Sequence, residues 1–111
     1  MNFIEWSDFE KIDLRVGTII KVENFPQAKK AAYKLWVDLG PLGVKASSAQ
    51  ITTCYDIDSL LEKQVLCVVN FPPKQVANFI SEILVTGFVL EEGKVILAST
   101  DQRIPNGTRL A

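Results

Sequence analysis

Apolar and polar positions alternate with a period of two along two stretches of the first forty residues, Asp13–Ile20 and Tyr33–Gly40. Alternation puts successive side chains on opposite faces, so both stretches are predicted to be half-buried strands. The first is read over Leu14–Glu23, with Leu14, Val16, Ile20 and Val22 on one face and Arg15, Lys21 and Glu23 on the other. Gly17 inside it predicts a bulge or a sharp coil. The second, Tyr33–Leu39, turns Tyr33, Leu35, Val37 and Leu39 one way and Lys34, Trp36 and Asp38 the other.

The remaining elements follow from punctuation. Ser7-Asp8-Phe9-Glu10 has the spacing of a capping box and predicts a short helix over Ser7–Ile12. Asn24–Ala32 is a loop with paired lysines, and Gly40-Pro41-Leu42-Gly43 is a turn before a third strand at Val44–Ser48. A short helix or turn at Asp58–Lys63 precedes a fourth strand, Gln64–Phe71, apolar on both faces and therefore central. Pro72-Pro73 ends it, because proline cannot donate to a ladder. A fifth strand runs over Ile83–Leu90, and a turn at Glu91–Lys94 leads into Val95–Ser99. Asn106-Gly107 marks a final turn. Three strands, a short helical connection and two strands are the order of a five-stranded OB-fold barrel, so the fold class is all-β in a single domain over residues 1–111. Another small all-β barrel is the competing architecture.

Composition narrows the chemistry. Of 111 residues, 48% are hydrophobic, enough for a packed core rather than disorder. Twelve basic residues face thirteen acidic ones, for a net charge of −1, whereas polyanion binders usually carry a basic excess. There is no histidine, which removes Ser-His and Cys-His catalysis and most zinc sites. Cys54 and Cys67 match no redox spacing and both read as structural thiols. No carboxylate pair and no phosphate-cradling glycine loop stands out, so no catalytic residue, metal or cofactor is expected. No run approaches a membrane span and the first residues do not resemble a signal peptide, so a cytoplasmic location is expected and membrane insertion is not.

Blocks spread over almost the whole chain resemble a known family. They are Asp8–Ile19, Lys34–Gly40, Ser47–Thr52, Val68–Pro73, Ser81–Leu84 and Ile104–Thr108. The chain resembles the tRNA-binding domains found alone or at the C-terminus of some methionyl-tRNA synthetases and in EMAP II-like proteins. Within that family Ser47-Ser48-Ala49-Gln50-Ile51 and Asn70-Phe71-Pro72-Pro73 look most like the CsaA-like export-related chaperones. Two departures stand out. Ser81-Glu82-Ile83-Leu84 replaces the family's Ser-x-Gly-Met, and only Lys74-Gln75 remains where a basic pair is usual. Asn78 stands where a glycine is usual and is expected to hold a left-handed turn.

Candidate site residues fall in four groups. Lys29, Lys30, Lys34 and Lys74 supply positive charge, with Lys45 and Arg103 beside them, and Trp36 could stack a base or grip an apolar side chain; an ordinary solvated surface is the competing reading. Ser47, Ser48, Asn70, Ser81 and Glu82 fall at strand ends, where they could bond a ligand or simply satisfy loop backbone. Phe71 and Pro73, with Pro72 and Phe79, form a rigid apolar segment that could hold a client side chain or pack on the core. Phe3, Trp6, Phe9 and Ile12 at one end and Ile104, Pro105 and Leu110 at the other are extra to a five-stranded barrel, and relatives with such extensions are homodimers through them.

The resemblance implies a dimeric, non-enzymatic chaperone-like protein that binds unfolded or pre-secretory polypeptides in protein export, with the export motor SecA as an implied partner. The alternative it carries is a structure-specific tRNA-binding protein; the reduced basic pair and the acidic pI of about 5.4 weigh against that alternative.

Overall fold

The computed structural model describes residues 1–111. Its elements are α1 (Trp6–Glu10), β1 (Leu14–Asn24), β2 (Tyr33–Asp38), β3 (Val44–Ala49), α2 (Ile57–Leu60), β4 (Gln64–Val68), β5 (Lys74–Val76), β6 (Phe79–Ser81), β7 (Leu84–Val85), β8 (Gly87–Val89) and β9 (Val95–Leu97). An antiparallel sheet in the order β3-β2-β1-β4-β7 curls until its edges meet. At that seam the Ala46 carbonyl accepts the amides of Glu82 and Ile83 at 2.7 and 3.3 Å. The five-stranded, nearly closed barrel with short helices is the architecture expected of an OB-fold.

β2 keeps the predicted alternation: Tyr33, Leu35 and Val37 are buried while Lys34, Trp36 and Asp38 are half-buried. β1 does not. Its pairing with β2 slips between Ile19 and Lys21, so Ile20 opposes no residue of β2 and turns outward. Ile19 takes the inward place expected of Ile20, and the bulge lies three residues beyond Gly17. Gly17 is small for another reason. A Cβ there would collide with Val37 Cγ1 and lie 2.8 Å from Leu39 Cδ2.

The core gathers Ile19, Leu35, Val37, Leu39, Leu60 and Val65 inside the barrel. Each such side chain contributes about 1.5–3 kcal/mol by leaving water. Leu60 arrives on α2, whose start is fixed by Asp56: its Oδ1 accepts the Ser59 amide at 2.7 Å while Ser59 Oγ accepts the Asp56 amide at 3.2 Å. Asp56 is therefore the cap of α2. Cys67 is buried, and burial pushes its thiol up to about 12. Cys54 is exposed in the loop before α2, against the expectation of two structural thiols.

Other expectations are corrected in detail. α1 begins at Trp6, so its cap pair falls at Glu5 and Asp8 instead of Ser7 and Glu10; Asp8 Oδ2 accepts the Glu5 amide at 2.9 Å. The fourth strand stops at Val68 and does not reach Phe71. The segment after Pro73, to which the sequence pattern assigns no element, is the β5–β6 hairpin. Its left-handed residue is Ala77 (φ 52°), and Asn78 is not left-handed. The expected fifth strand bends at Thr86: β7 pairs with β4, and β8 pairs with β9.

The C-terminal segment belongs to its own barrel. β1 pairs with β4 over Leu14–Thr18 but with β2 only from Thr18 onward, leaving one edge of Leu14–Gly17 open. Residues 107–110 fill that edge. Gly107 N donates to Val16 O at 2.7 Å, Val16 N to Thr108 O at 3.1 Å, and Leu110 N to Leu14 O at 2.8 Å. The buried Gln64 anchors the approach, its Nε2 donating to Ile104 O at 2.7 Å while its Oε1 accepts the Ile104 amide at 3.1 Å.

Candidate functional site

The predicted site residues divide among three neighbouring surfaces. One is a groove of about 1160 Å³ whose lining includes Ser48, Phe71, Lys74, Ser81, Glu82 and Val89. Its walls are the β3 edge, the β5–β6 hairpin and the β8–β9 hairpin, and its apolar lining includes Phe71, Leu84, Val89 and Val95. Phe71 is 55% exposed, an accessible apolar surface rather than a core side chain.

Ser81 and Glu82 hold the seam beneath this groove. Ser81 Oγ accepts the Ser48 amide at 3.1 Å, and Glu82 Oε1 accepts the Ala46 amide at 2.9 Å. Ser47 lies on the inward face of β3 and is buried; its hydroxyl donates to the Ser48 carbonyl at 3.1 Å. Alternation of side chains along a strand therefore separates the two serines, with only Ser48 facing out. Asn70 is exposed, yet its amide group is engaged. Oδ1 accepts the Asp13 amide at 3.0 Å and Nδ2 donates to Lys11 O at 2.7 Å. Pro73 is exposed where the hairpin begins.

The second surface is a cluster of rings and ammonium groups on the outer face of β1 and β2. Trp36 meets Phe79 edge-on with ring centroids 5.8 Å apart, and Phe79 meets Phe25 at 5.5 Å. Lys21 Nζ lies 4.7 Å from the Trp36 ring centroid, and Lys34 Nζ lies 5.0 Å from that of Phe25. Such contacts favour a fixed ammonium by about 0.5–1 kcal/mol at exposed sites. Lys21 and Phe25 were not singled out in the sequence. The signal for Lys21 is its register opposite Trp36, which the bulge at Ile20 creates. Trp36 and Phe71, each read as able to hold an apolar side chain, belong to different surfaces.

Lys29 and Lys30 line a smaller cavity of about 350 Å³ between the β1–β2 loop and the β5–β6 hairpin, which shares Ser48 with the groove. Arg103 is engaged elsewhere, its Nη1 donating to the Glu62 carbonyl at 3.1 Å. The basic residues thus do not form one patch.

The terminal residues expected at a dimer interface are accessible. Phe3 is 94% and Trp6 66% exposed, and Ile12, Ile104, Pro105 and Leu110 are exposed as well. Phe9 is half-buried against Trp6, with ring centroids 5.4 Å apart.

The barrel thus carries an apolar groove and, on its outer face, a cluster of aromatic rings and ammonium groups. The chain belongs to the family described as "Putative tRNA binding domain", whose pattern matches residues 14–109. Among solved structures it is similar to the chaperone CsaA from Bacillus anthracis, with 45% identity, a TM-score of 0.94, and coverage of 99% of this chain and 100% of the other. It is also similar to the CsaA chaperone protein from Picrophilus torridus, with 47% identity, a TM-score of 0.90, and coverage of 98% and 100%. Among curated proteins it is 34% identical over 110 residues to the methionine–tRNA ligase of Methanocaldococcus jannaschii, covering 99% of this chain but 17% of that enzyme. The chain thus spans about one sixth of the ligases it matches. No helix is long and apolar enough to cross a membrane.

Proposed function

We propose that this chain is a non-catalytic binding module for unfolded or pre-secretory polypeptides. The observation that carries the reading is the groove of about 1160 Å³, with Phe71 and Val89 exposed along an apolar lining. A concave groove with apolar side chains and a few polar groups in its lining is the usual form of a ligand site. Likeness to CsaA chaperones along essentially the full length of both chains supports it, whereas the ligases match through a small segment. The role we assign is chaperone-like, in the cytoplasm, on the path to protein export, with SecA as the export partner the role implies.

We place the protein in solution as a homodimer. Phe3, Trp6 and Ile12 are apolar surface that a second copy would cover together with Leu110. Native mass measurement at micromolar concentration is expected to read twice the 12.4 kDa chain mass, and a reading of 12.4 kDa alone removes the dimer.

A second reading, tRNA binding, is favoured by one specific observation: Lys21 and Lys34 over the rings of Trp36, Phe25 and Phe79. The outer face of this barrel type, with its adjoining loops, takes oligonucleotides, and bases stack on such rings. Titrating labelled tRNA and a labelled unfolded polypeptide at two salt concentrations separates the readings. Polypeptide binding that varies little with salt supports the first. Tight tRNA binding with a steep salt slope and no polypeptide binding replaces it with the second.

A further inference from the structure

β8 presents an unguarded edge. In an antiparallel pair, residues alternate between exchanging backbone hydrogen bonds with the partner and pointing those groups away. Leu90 N donates to Lys94 O at 2.8 Å, and Ala98 N donates to Thr86 O at 3.1 Å. With Phe88 opposite Ile96, this phase puts Phe88 in a bonded pair and leaves Gly87 and Val89 facing outward. β8 pairs with no strand but β9, and no bond from a loop, turn or side chain reaches the amide or carbonyl of either residue. Two N–H groups and two C=O groups therefore stand free along one edge, about 7 Å apart in pairs.

That edge borders the groove, since Gly87, Val89 and Val95 all line it. Proteins blunt an exposed edge by keeping the strand very short or with proline, charge, a bulge or a covering segment; β8 is short, but Gly87-Phe88-Val89-Leu90 has no proline and no charge. Phe88 is 65% and Val89 81% exposed. The opposite edge of the same hairpin is partly covered, with Leu97 N donating to the Tyr55 hydroxyl at 3.1 Å. The edge of β8 is thus open where that of β9 is partly covered.

We propose that the outer edge of β8 is a strand-addition site, at which an extended, apolar, proline-free segment of a client polypeptide pairs with Gly87 and Val89 and lays alternate side chains into the groove. This rests on the polypeptide-binding reading and specifies its mode. The occupant follows from the chemistry of the edge: paired amides and carbonyls at strand spacing are complemented by another extended chain. A second copy paired through β8 alone is not the occupant, because a three-residue strand buries far less than the roughly 1,200–2,000 Å² of a stable interface. Backbone recognition is indifferent to sequence, which suits a protein that meets many unfolded clients.

The test uses a ten-residue, proline-free Val/Thr peptide and its analogue N-methylated at alternate residues. Amide hydrogen exchange of the free protein is expected to be fast at Gly87 and Val89 and to slow when the unmodified peptide binds. The N-methylated analogue is expected to bind about three- to tenfold more weakly for each ladder hydrogen bond it removes. Val89→Pro removes one outward N–H and is expected to weaken binding by a similar factor, more than Val89→Ala does. Should Val89→Pro fail to fold, the exchange measurement on the native chain decides. Peptide binding with no slowing at Gly87 and Val89 overturns the strand-addition site while leaving polypeptide binding intact. Slow exchange at both amides before any peptide is added shows the edge already occupied and overturns it too. No peptide binding at all overturns both readings.

Discussion

Asp13 Oδ1 accepts a hydrogen bond from Arg15 Nε at 2.7 Å. The same oxygen lies 3.4 Å from Arg109 Nε, so one carboxylate joins the start of β1 to the C-terminal segment. Arg15 Nη1 also donates to Gly107 O at 3.0 Å, and Arg109 Nη2 to Glu10 O at 3.0 Å. The hydrogen bond from Arg15 holds the Asp13 carboxyl below the usual carboxylate range, partial burial opposing it and the charges of Arg15 and Arg109 adding to it. A carboxylate with a depressed folded pKa stabilises the fold above its unfolded value of about 3.9. That contribution is lost as pH falls through the lower folded value. Asp13→Asn is therefore expected to lower the urea midpoint at pH 7, and the gap to the native protein should close in acid. A gap that persists unchanged to pH 2 would show that the clasp does not depend on charge.

Gln64 carries a larger share of the C-terminal attachment. Its side chain is buried and bonds Ile104 N, Ile104 O and Asn106 Oδ1. Gln64→Leu keeps the volume but strands those partners, at a cost of about 2–3 kcal/mol. Hydrogen exchange at Ile104, Gly107 and Leu110 is expected to quicken more than exchange in β2. A uniform change across the barrel would argue against a local anchor.

Gly17→Ala tests why a glycine sits in β1. The added methyl would meet Val37 Cγ1, Leu39 Cδ2 and the Asp38 carbonyl. Overpacking of this kind costs about 1–3 kcal/mol. Were the glycine needed only for strand bending, the bulge at Ile20 would leave Gly17→Ala nearly neutral.

Ala77→Gly should act in the opposite direction. Ala77 holds φ at 52°, a region that strains residues with a Cβ. Relief of that strain exceeds the added flexibility of the unfolded chain, so a gain of about 0.5–1 kcal/mol is expected in chemical denaturation. A loss would mean that the methyl group packs against a neighbour.

The two candidate surfaces are separable by single substitutions. Phe71→Ala is expected to weaken binding of an unfolded polypeptide by about tenfold and tRNA by less than twofold. Trp36→Ala is expected to reverse that order, since loss of a stacking ring costs about 1–3 kcal/mol per base. Equal losses for both ligands in both variants would merge the surfaces into one.

Much of the barrel was legible because its central strands obey one rule each. Tyr33–Asp38 alternates without interruption, and burial follows it residue by residue. The β4 segment is apolar on both faces and does lie inside the sheet, between β1 and β7. β1 was misread because a bulge at Ile20 resets its phase: Ile19 and Val22 both face the core while Leu14 and Val16 lie on the opposite face, and nothing local distinguishes Ile19 from Ile20 as the inward residue. The β5–β6 hairpin escaped because Lys74-Gln75-Val76-Ala77-Asn78 has little strand character of its own, and Phe79 packing on Phe25 and Trp36 supplies what local preference lacks. The candidate site was legible as residue types at strand ends. Which of them face a ligand depended on partners far along the chain, as with Asn70 turned to Asp13 and Ser81 turned to Ser48.

By itself the sequence determined the barrel's strand order, its single core and its family, because alternation, turn residues and chain order are local and survive any docking of the parts. Only the tertiary structure decided where the bulge falls, that residues 107–110 complete the edge of β1, and that Trp36 and Phe71 serve different surfaces. It also decided that Gly87 and Val89 keep their backbone groups free. Each of these depends on which distant group meets which hydrogen-bonding edge, and a backbone donor or acceptor looks the same in every residue until the fold brings a partner to it.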